Sequence, residues 1–162
     1  MIPRICQKQL VALFVVLVAA FSAAQSAGTS AGQEASASTQ PLDFEFFKTR
    51  VEPIFLKRRM GHARCYFCHA AGVSGDTGIQ PRYLISLSPG STFWTDNQSR
   101  INFQNVSYLV DLKDPMNSRI LIHPLSPLAG GDTARPHIGG RQFASKEDPD
   151  WKTIAEWVRG AK

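Results

Sequence analysis

The segment Cys65-Tyr66-Phe67-Cys68-His69 constrains this 162-residue chain more than any other feature. Two thiols separated by two residues reach the two vinyl groups of one porphyrin and form thioethers, and the histidine that follows is placed to bind the iron from the same face. The spacing therefore predicts one covalently bound haem c, attached through Cys65 and Cys68, with His69 as an axial iron ligand. A domain built on this segment has to hold that haem in a dry crevice.

Three other interpretations of the two cysteines are less consistent with the surrounding sequence. A thioredoxin-like redox pair follows a buried strand in a βαβ unit, and residues 54–61 do not resemble such a strand. A structural zinc site needs four Cys or His ligands in paired spacing, and the chain has no second C-x-x-C or H-x-x-x-H pair. A disulfide between Cys65 and Cys68 would close a very small loop and stabilise the fold little.

The N-terminus is typical of a secretory signal peptide. Arg4 and Lys8 form a basic region, the apolar run 10–20 follows, and small residues lead to a cleavage site after Ala24. This pattern predicts a periplasmic or otherwise exported protein, and thioether formation also takes place outside the cytoplasm. An uncleaved segment would instead tether the protein to a membrane, although the run is shorter than the ~20 residues that span a bilayer. Cleavage would remove Cys6 and leave only the cysteines of the motif.

Composition divides the chain into a signal peptide over 1–24, a flexible linker over 25–41 and one folded domain over 42–162. The linker consists of small and polar residues with the single charge of Glu34, and such a segment cannot bury a core. The formal net charge is +5, and it falls to +3 in the cleaved chain, with 16 Lys and Arg against 13 Asp and Glu. A modest positive charge suits either an acidic redox partner or ordinary surface solubility. No run of Lys or Arg indicates nucleic-acid binding.

Apolar spacing and capping residues predict a mainly α fold with long loops. Residues 43–51 predict a first helix that is capped by Asp43 and that Pro53 ends or kinks. Residues 72–96 are rich in Gly, Ser, Pro and Thr and predict a long loop that covers one edge of the haem.

Three further helical segments follow. The first is predicted over about 98–112 with Asp96 or Asn97 as its cap, and the second runs over 118–122 after the turn at Asp114-Pro115. The last helix is predicted over 148–159, with Asp148 as its cap, Pro149 in its first turn and Gly160 as its stop. Its tryptophans, Trp151 and Trp157, are predicted to belong to the core.

From the motif outward, the chain resembles the class I c-type cytochromes, and among them the planctomycete-type monohaem cytochrome c domains of bacterial secreted proteins. Besides the haem motif, the matching segments are 47–55 (FKTRVEPIF), 114–121 (DPMNSRIL) and 154–160 (IAEWVRG). The resemblance covers about 42–162. It implies a small cytochrome c-like fold in which the N-terminal and C-terminal helices pack beside the covalently bound haem.

The resemblance also implies a second contact to the proximal histidine. In class I proteins, a proline commonly offers its carbonyl to the ring N–H of that histidine, which fixes the tautomer. Pro81 lies twelve residues after His69, at a similar spacing, although Gln80 stands where the family usually has a glycine. Pro81 is therefore expected to line the cofactor site.

The ligand on the other side of the iron has to be one of the remaining methionines or histidines. Class I proteins usually use Met, and planctomycete-type domains often carry Met-Pro-Pro before the last helix. This chain has Arg-Pro-His137 at that place and no methionine after Met116. We therefore expect His137 as the distal ligand, with Gly139 and Gly140 allowing the backbone to approach the haem edge. Met116, His123 and an open iron site remain alternatives.

Two functional classes follow from these residues. The leading one is a monohaem cytochrome that passes single electrons to redox protein partners or to a membrane electron-transfer complex, and it is not an enzyme. The alternative is a haem enzyme or sensor, a peroxidase or a gas-binding protein, in which His137 or His123 acts beside an open iron. Candidate partners for the haem propionates are Arg82, Arg100 and Arg141.

Overall fold

The computed structural model describes residues 41–71 and 83–162. The predicted signal peptide, the predicted linker up to residue 40, and Pro81 lie outside the described residues. Within the described ranges the regular structure is helical and no strand forms, which confirms the mainly α prediction. Among the described residues, three isolated β-bridges form, at Arg59–His62, Ala70–Leu84 and Leu125–Phe143.

The first helix, α1, changes its type along its length. It is α-helical over Phe44–Phe46, π-helical over Phe47–Val51 and α-helical again over Glu52–Leu56. Asp43 caps it as predicted, because its carboxylate accepts a hydrogen bond of 2.6 Å from the backbone N–H of Phe46. Of the two expected effects of Pro53, an end or a kink of the helix, the end is wrong, because the chain stays helical to Leu56. The proline lies in the first turn of the second α segment, close after the π-helical turn, and a proline is tolerated at the start of such a segment.

The haem-motif residues form the short helix α2, Cys65–His69, and the next helix, α3, runs over Asp96–Ser107. α3 begins two residues earlier than predicted and ends at Ser107 rather than near 112. Its cap is Thr95, and neither Asp96 nor Asn97. Thr95 and Gln98 bond each other's backbone N–H groups in a capping box. Of the predicted loop over 72–96, residues 83–95 are described, and they contain no helix.

The C-terminal part contains helices α4, Arg119–Ile122, and α5, Pro149–Val158, with single 3₁₀ turns at Pro115–Asn117 and Pro127–Ala129. Ser118 precedes α4, as predicted. The predicted cap of α5 is also confirmed, because the Asp148 carboxylate accepts hydrogen bonds from the backbone N–H groups of Asp150 and Trp151.

Aromatic packing joins the first helix to the last. The ring of Trp157 on α5 lies 5.2 Å from that of Phe47 on α1 and 6.1 Å from that of Phe103 on α3, measured between ring centres. The indole N–H of Trp157 donates a hydrogen bond of 3.0 Å to the carbonyl oxygen of Asp43. Trp151 is also buried, and its indole N–H donates to the Leu121 carbonyl. Both tryptophans therefore belong to the core, as predicted.

A charged cluster connects the segment before α2 to the start of α5. The Arg59 guanidinium donates to both carboxylate oxygens of Asp148, at 2.8 and 3.2 Å, and also to Asp150. It lies 4.8 Å from the centre of the Phe143 ring. Burial alone would raise the pKa of Asp148, but the hydrogen bonds from Arg59 and the backbone hold that pKa below its usual value. The cluster thus anchors the chain on the N-terminal side of the cysteine motif.

A buried carboxylate connects α1 to α3. Glu52 is only 4% exposed, and its oxygens accept hydrogen bonds from the Ser99 hydroxyl at 2.6 Å and the Asn102 amide at 2.9 Å. The Asn102 side-chain oxygen accepts in turn from the backbone N–H of Ile85. Burial raises the pKa of Glu52, although the two hydrogen bonds partly oppose this effect.

The raised pKa of Glu52 predicts the effect of Glu52→Gln. The folded protein binds the proton of this carboxyl more tightly than the unfolded chain, so stability falls as the pH rises above the ordinary value of 4.5 towards the folded-state pKa. The amide keeps the shape and does not titrate. Its oxygen can accept from Asn102 as before, but its NH2 group has to donate to the Ser99 hydroxyl, so that bond reverses direction. Urea unfolding should therefore show equal or greater stability for Glu52→Gln at pH 7 and a flatter pH profile above pH 4.5.

The matched control is Glu45→Gln, which removes an exposed carboxylate from the same helix and leaves the buried hydrogen bonds of Glu52 untouched. A loss of more than about 2 kcal/mol at pH 7 for Glu52→Gln but not for Glu45→Gln would contradict this expectation.

Candidate functional site

A cavity of about 320 Å³ lies beside α2. Its volume falls in the range of about 300–1,000 Å³ that is typical of ligand and cofactor sites. Most of the wall is apolar, from Ile54, Phe55, Leu84, Val106, Leu109, Ile120, Ile138, Phe143 and Ile154. The groups on the wall that bind metals are few: Cys65 and His69 from α2, and His123 and His137 from the loops that follow α4.

Helix α2 presents its side chains in two directions. Cys65 and His69 are four residues apart, which places both on the face that borders the cavity. Tyr66 points into the core, where its hydroxyl accepts a hydrogen bond of 3.0 Å from the Leu87 backbone and its ring packs against Trp94. The Leu84 N–H donates to the His69 carbonyl at 3.0 Å, so the end of the helix is held from the other side.

The two thiols are free, and burial raises the pKa of both. The pKa of Cys65 reaches about 11. A thioredoxin-like cysteine needs the opposite shift, because the thiolate is the reactive form. No strand precedes α2 in residues 41–64 either. Both observations count against the redox-pair interpretation.

His69 and His137 both border the cavity and lie close to each other. Their ring centres are 6.2 Å apart, and the ring planes are inclined at 43°. Two imidazoles that bind one metal from opposite sides, with metal–nitrogen bonds of about 2.0 Å, have ring centres about 6.3 Å apart. The predicted axial pair therefore has a spacing that fits one iron between the two rings.

The His137 ring is held in the tautomer that a metal ligand needs. Its Nδ1 donates a hydrogen bond of 2.7 Å to the carbonyl oxygen of Gly140, so that Nε2 carries the free lone pair. Burial lowers the pKa of His137 to about 4, and the ring is neutral at pH 7. Gly139 and Gly140 both have positive φ, 97° and 88°, which lets the chain turn back at this point.

The same turn presses against the cysteine segment. A Cβ atom at Gly139 would approach Cys68 Sγ to 3.8 Å, and one at Gly140 would approach His62 Nδ1 to 2.5 Å. The backbone at Gly140 thus approaches His62 closely, and that at Gly139 lies at ordinary contact distance from Cys68. The expected approach of the two glycines to a haem edge stays a prediction.

The alternatives for the distal ligand lie in different places. His123 also borders the cavity. Its ring centre is 5.0 Å from that of His137, its Nδ1 lies 3.4 Å from Asp132 Oδ2, and burial lowers its pKa. Met116 lies in a surface 3₁₀ turn with 37% exposure and is not among the described residues that line the cavity. The structure therefore brings both histidines to the cavity, but not the methionine.

The arginines predicted to bind propionates have other contacts where they are described. Arg141 donates to the backbone carbonyls of His123, Asp132 and Arg135, and Arg100 lies 4.3 Å from the centre of the Phe44 ring. Arg82 lies outside the described residues.

Two arginines and a tyrosine that the sequence reasoning missed do line the cavity. Arg119 lies one helical turn before His123, so its place on the same face was available from the spacing alone. Arg135 is two residues before His137. Tyr83 has its ring 6.0 Å from that of His69, and no pattern in the sequence indicated this contact.

This donor set fits a c-type haem. The Cys65 thiol and the imidazoles of His69 and His137 lie at one apolar cavity, whereas the Cys68 thiol is not among its described lining residues and lies near Gly139. The guanidinium groups of Arg119 and Arg135 on the wall suit the carboxylates of a haem edge. No group of three or more His, Cys, Asp or Glu side chains gathers to hold a metal ion in the described parts of the chain. A haem iron needs no such group, because the porphyrin supplies four of its six ligands.

The geometry of the turn predicts the effect of Gly140→Ala. A side chain at positive φ costs about 1–2 kcal/mol, and the new Cβ would also meet His62. The control is Gly90→Ala, which has a similar φ of 77° and no atom within 4 Å of the added carbon. In chemical denaturation, Gly140→Ala should lose more stability than Gly90→Ala. Adding His62→Ala to Gly140→Ala should remove this extra loss, because the side chain that the new Cβ meets is then absent. Equal losses in the two glycine variants would contradict the close approach.

No protein-family model, no curated protein and no solved structure matches this chain. In the described ranges, no helix has the length and the apolar character needed to cross a membrane.

Proposed function

We propose that this protein is a monohaem c-type cytochrome that carries single electrons outside the cytoplasm, either free or as a subunit of a redox complex. The observation that supports this proposal most strongly is the short distance between the His69 and His137 rings at a cavity that Cys65 also borders. A C-x-x-C-H motif alone predicts attachment. The second imidazole, at a spacing of 6.2 Å, adds a partner for the opposite side of the iron.

Each residue has a defined part in the proposed site. Cys65 and Cys68 would hold the haem covalently, and His69 and His137 would bind its iron. When bound, the haem supplies the one-electron redox couple. The apolar wall would keep water from the haem, and the hydrogen bond from His137 Nδ1 to Gly140 would keep Nε2 directed at the iron. Pro81 remains the proposed acceptor for the His69 ring, outside the described residues.

The proposed fold is the class I cytochrome c type, with the first and last helices crossing beside the haem. The packing of Phe47 against Trp157 supports it, because this contact joins α1 directly to α5. The cavity is bordered by Ile54 from α1 and Ile154 from α5, so both helices contribute to the same wall.

Export and partner choice complete the proposal. The basic and apolar N-terminal pattern supports a cleaved signal peptide and a periplasmic location, and an uncleaved segment would give a membrane-tethered form. The net charge of +3 after cleavage suits docking to an acidic redox protein. Nothing in the charge pattern supports a nucleic-acid partner.

A second candidate function is a haem enzyme or gas sensor with an open distal site. The observation that favours it is His123, which borders the cavity with its Nδ1 facing Asp132 at 3.4 Å. A histidine oriented in this way is the acid–base group that peroxide chemistry needs beside an open iron. Arg119 and Arg135 on the same wall would stabilise developing negative charge.

Covalent attachment gives the first prediction for this function. Whole-protein mass spectrometry of the exported chain should give the mass of residues 25–162 plus one haem. A double variant with Cys65→Ser and Cys68→Ser should lack the added haem, because no thioether can form. A wild-type mass without haem would contradict the proposed function.

The ligand assignment gives the second prediction. The wild-type protein should be low-spin, and its reduced form should not bind carbon monoxide promptly. His137→Ala should become high-spin and bind carbon monoxide, because the distal position is vacated. His123→Ala and Met116→Ala, which are matched controls from the two alternatives, should stay low-spin. Prompt binding of carbon monoxide by the wild type would favour the enzyme or sensor, and a high-spin His123→Ala would move the assignment to that residue.

A further inference from the structure

Gln142 ends the loop that carries His137, and this loop, residues 136–142, is named the distal loop. The amide of Gln142 is buried and reaches the segment that precedes the cysteine motif. Gln142 is only 6% exposed. Its Nε2 donates hydrogen bonds to the carbonyl oxygen of Ala63 at 2.9 Å and to that of Gly140 at 3.3 Å. One side chain therefore connects two backbone segments that are far apart in sequence.

Both backbone hydrogen-bonding groups of Ala63, the carbonyl and the N–H, bond to the distal loop. Its carbonyl accepts from Gln142, and its N–H donates a hydrogen bond of 3.2 Å to the carbonyl oxygen of Gly139. Ala63 lies two residues before Cys65, the first cysteine of the haem motif. The distal loop is thus bonded to the chain that enters α2.

The other acceptor of Gln142 is the group that orients the distal histidine. The Gly140 carbonyl oxygen accepts from His137 Nδ1 at 2.7 Å as well as from Gln142 Nε2. A carbonyl oxygen has two lone pairs and can serve both donors. Any displacement of this carbonyl would move the acceptor that keeps His137 in its tautomer and orientation.

The distal loop is held independently at its C-terminal end. The Phe143 N–H donates to the Pro124 carbonyl at 3.1 Å, and the Phe143 carbonyl accepts from Ser126 at 2.8 Å. Arg141 also donates to the His123 carbonyl. The Gln142 bonds are therefore a separate attachment, since they join the loop to the cysteine segment and not to residues 123–126.

We propose that Gln142 is a positioning residue for the distal iron ligand, which holds the Gly140 carbonyl under His137 and joins the distal loop to the segment that enters the haem motif. This inference rests on the proposed function, because it assumes that His137 binds the iron. Gln142 itself does not contact the iron in this account. It acts on the iron through Gly140 and His137.

The role of Gln142 has a measurable consequence for ligand exchange. Carbon monoxide can bind to the reduced iron only when His137 has left it. Loss of groups that orient a metal-binding histidine typically weakens the metal site by about 10- to 100-fold. Loss of the two Gln142 bonds should therefore raise the fraction of time in which the iron is open.

The test uses the full-length exported holo-protein with carbon monoxide as the probe. Gln142→Met keeps the length of the side chain and removes both donors, so the reduced variant should bind carbon monoxide about tenfold faster than the wild type. The matched control is Ser99→Ala, which loses a buried hydrogen bond to Glu52, away from the cavity wall. It should bind at the wild-type rate.

A double variant separates positioning from a general loss of stability. Once His137 is replaced by Ala, the iron is already open, and adding Gln142→Met should change the rate no further. If Gln142→Met holo-protein does not accumulate, Gln142→Asn, which keeps the amide on a shorter side chain, should give a smaller acceleration.

The outcomes are distinct for the two proposals. The positioning role is overturned if Gln142→Met binds carbon monoxide at the same rate as the wild type and Ser99→Ala. The same holds for Gln142→Asn where that variant replaces Gln142→Met. Either result leaves the cytochrome proposal intact. An equal acceleration in the presence and absence of His137 also overturns it. A wild-type protein without covalent haem, or one that binds carbon monoxide promptly, overturns the proposed function itself.

Discussion

The separation of His69 from His137 is the constraint on which the rest of the candidate site depends. The two residues are 68 positions apart in the chain, yet their ring centres lie only 6.2 Å from each other. One ring is placed by a five-residue helix, and the other by a loop that turns back at two glycines of positive φ. A metal between two imidazoles tolerates little change in this distance, so both segments have to be held from outside the cavity.

The fold supplies that support from several directions. Aromatic packing between Phe47 and Trp157 holds α1 against α5, and the Arg59 cluster joins the chain before α2 to the start of α5. The hydrogen bonds of Glu52 join α1 to α3. Through Asn102 they also reach the backbone of Ile85, which follows the cavity-lining Leu84. These contacts are outside the candidate site, but each ends on a segment that carries or flanks one of its residues.

Local signals in the sequence were sufficient for some elements and not for others. Asp43 and Asp148 were predicted as caps because a cap depends only on the three residues that follow it. The Thr95 cap was missed because Asp96 beside it is an equally good capping residue. The extent of α1 was missed because a π-helical turn places Pro53 near the start of a new α segment, where a proline is tolerated. The cysteine motif predicted Cys65, Cys68 and His69 as site residues, but it did not predict that they form the helix α2. Gln142 was not predicted, because its two bonds depend on chain segments that only the tertiary structure brings together.

The central claim is that one covalent haem lies between His69 and His137. Near-infrared magnetic circular dichroism of the oxidised holo-protein tests it most directly, because the low-energy charge-transfer band of low-spin ferric haem depends on the axial ligand pair. The account predicts a single low-spin haem with the band of two nitrogen ligands, lost on His137→Ala. A band of methionine sulfur ligation, a high-spin iron, or a protein that carries no haem would contradict it.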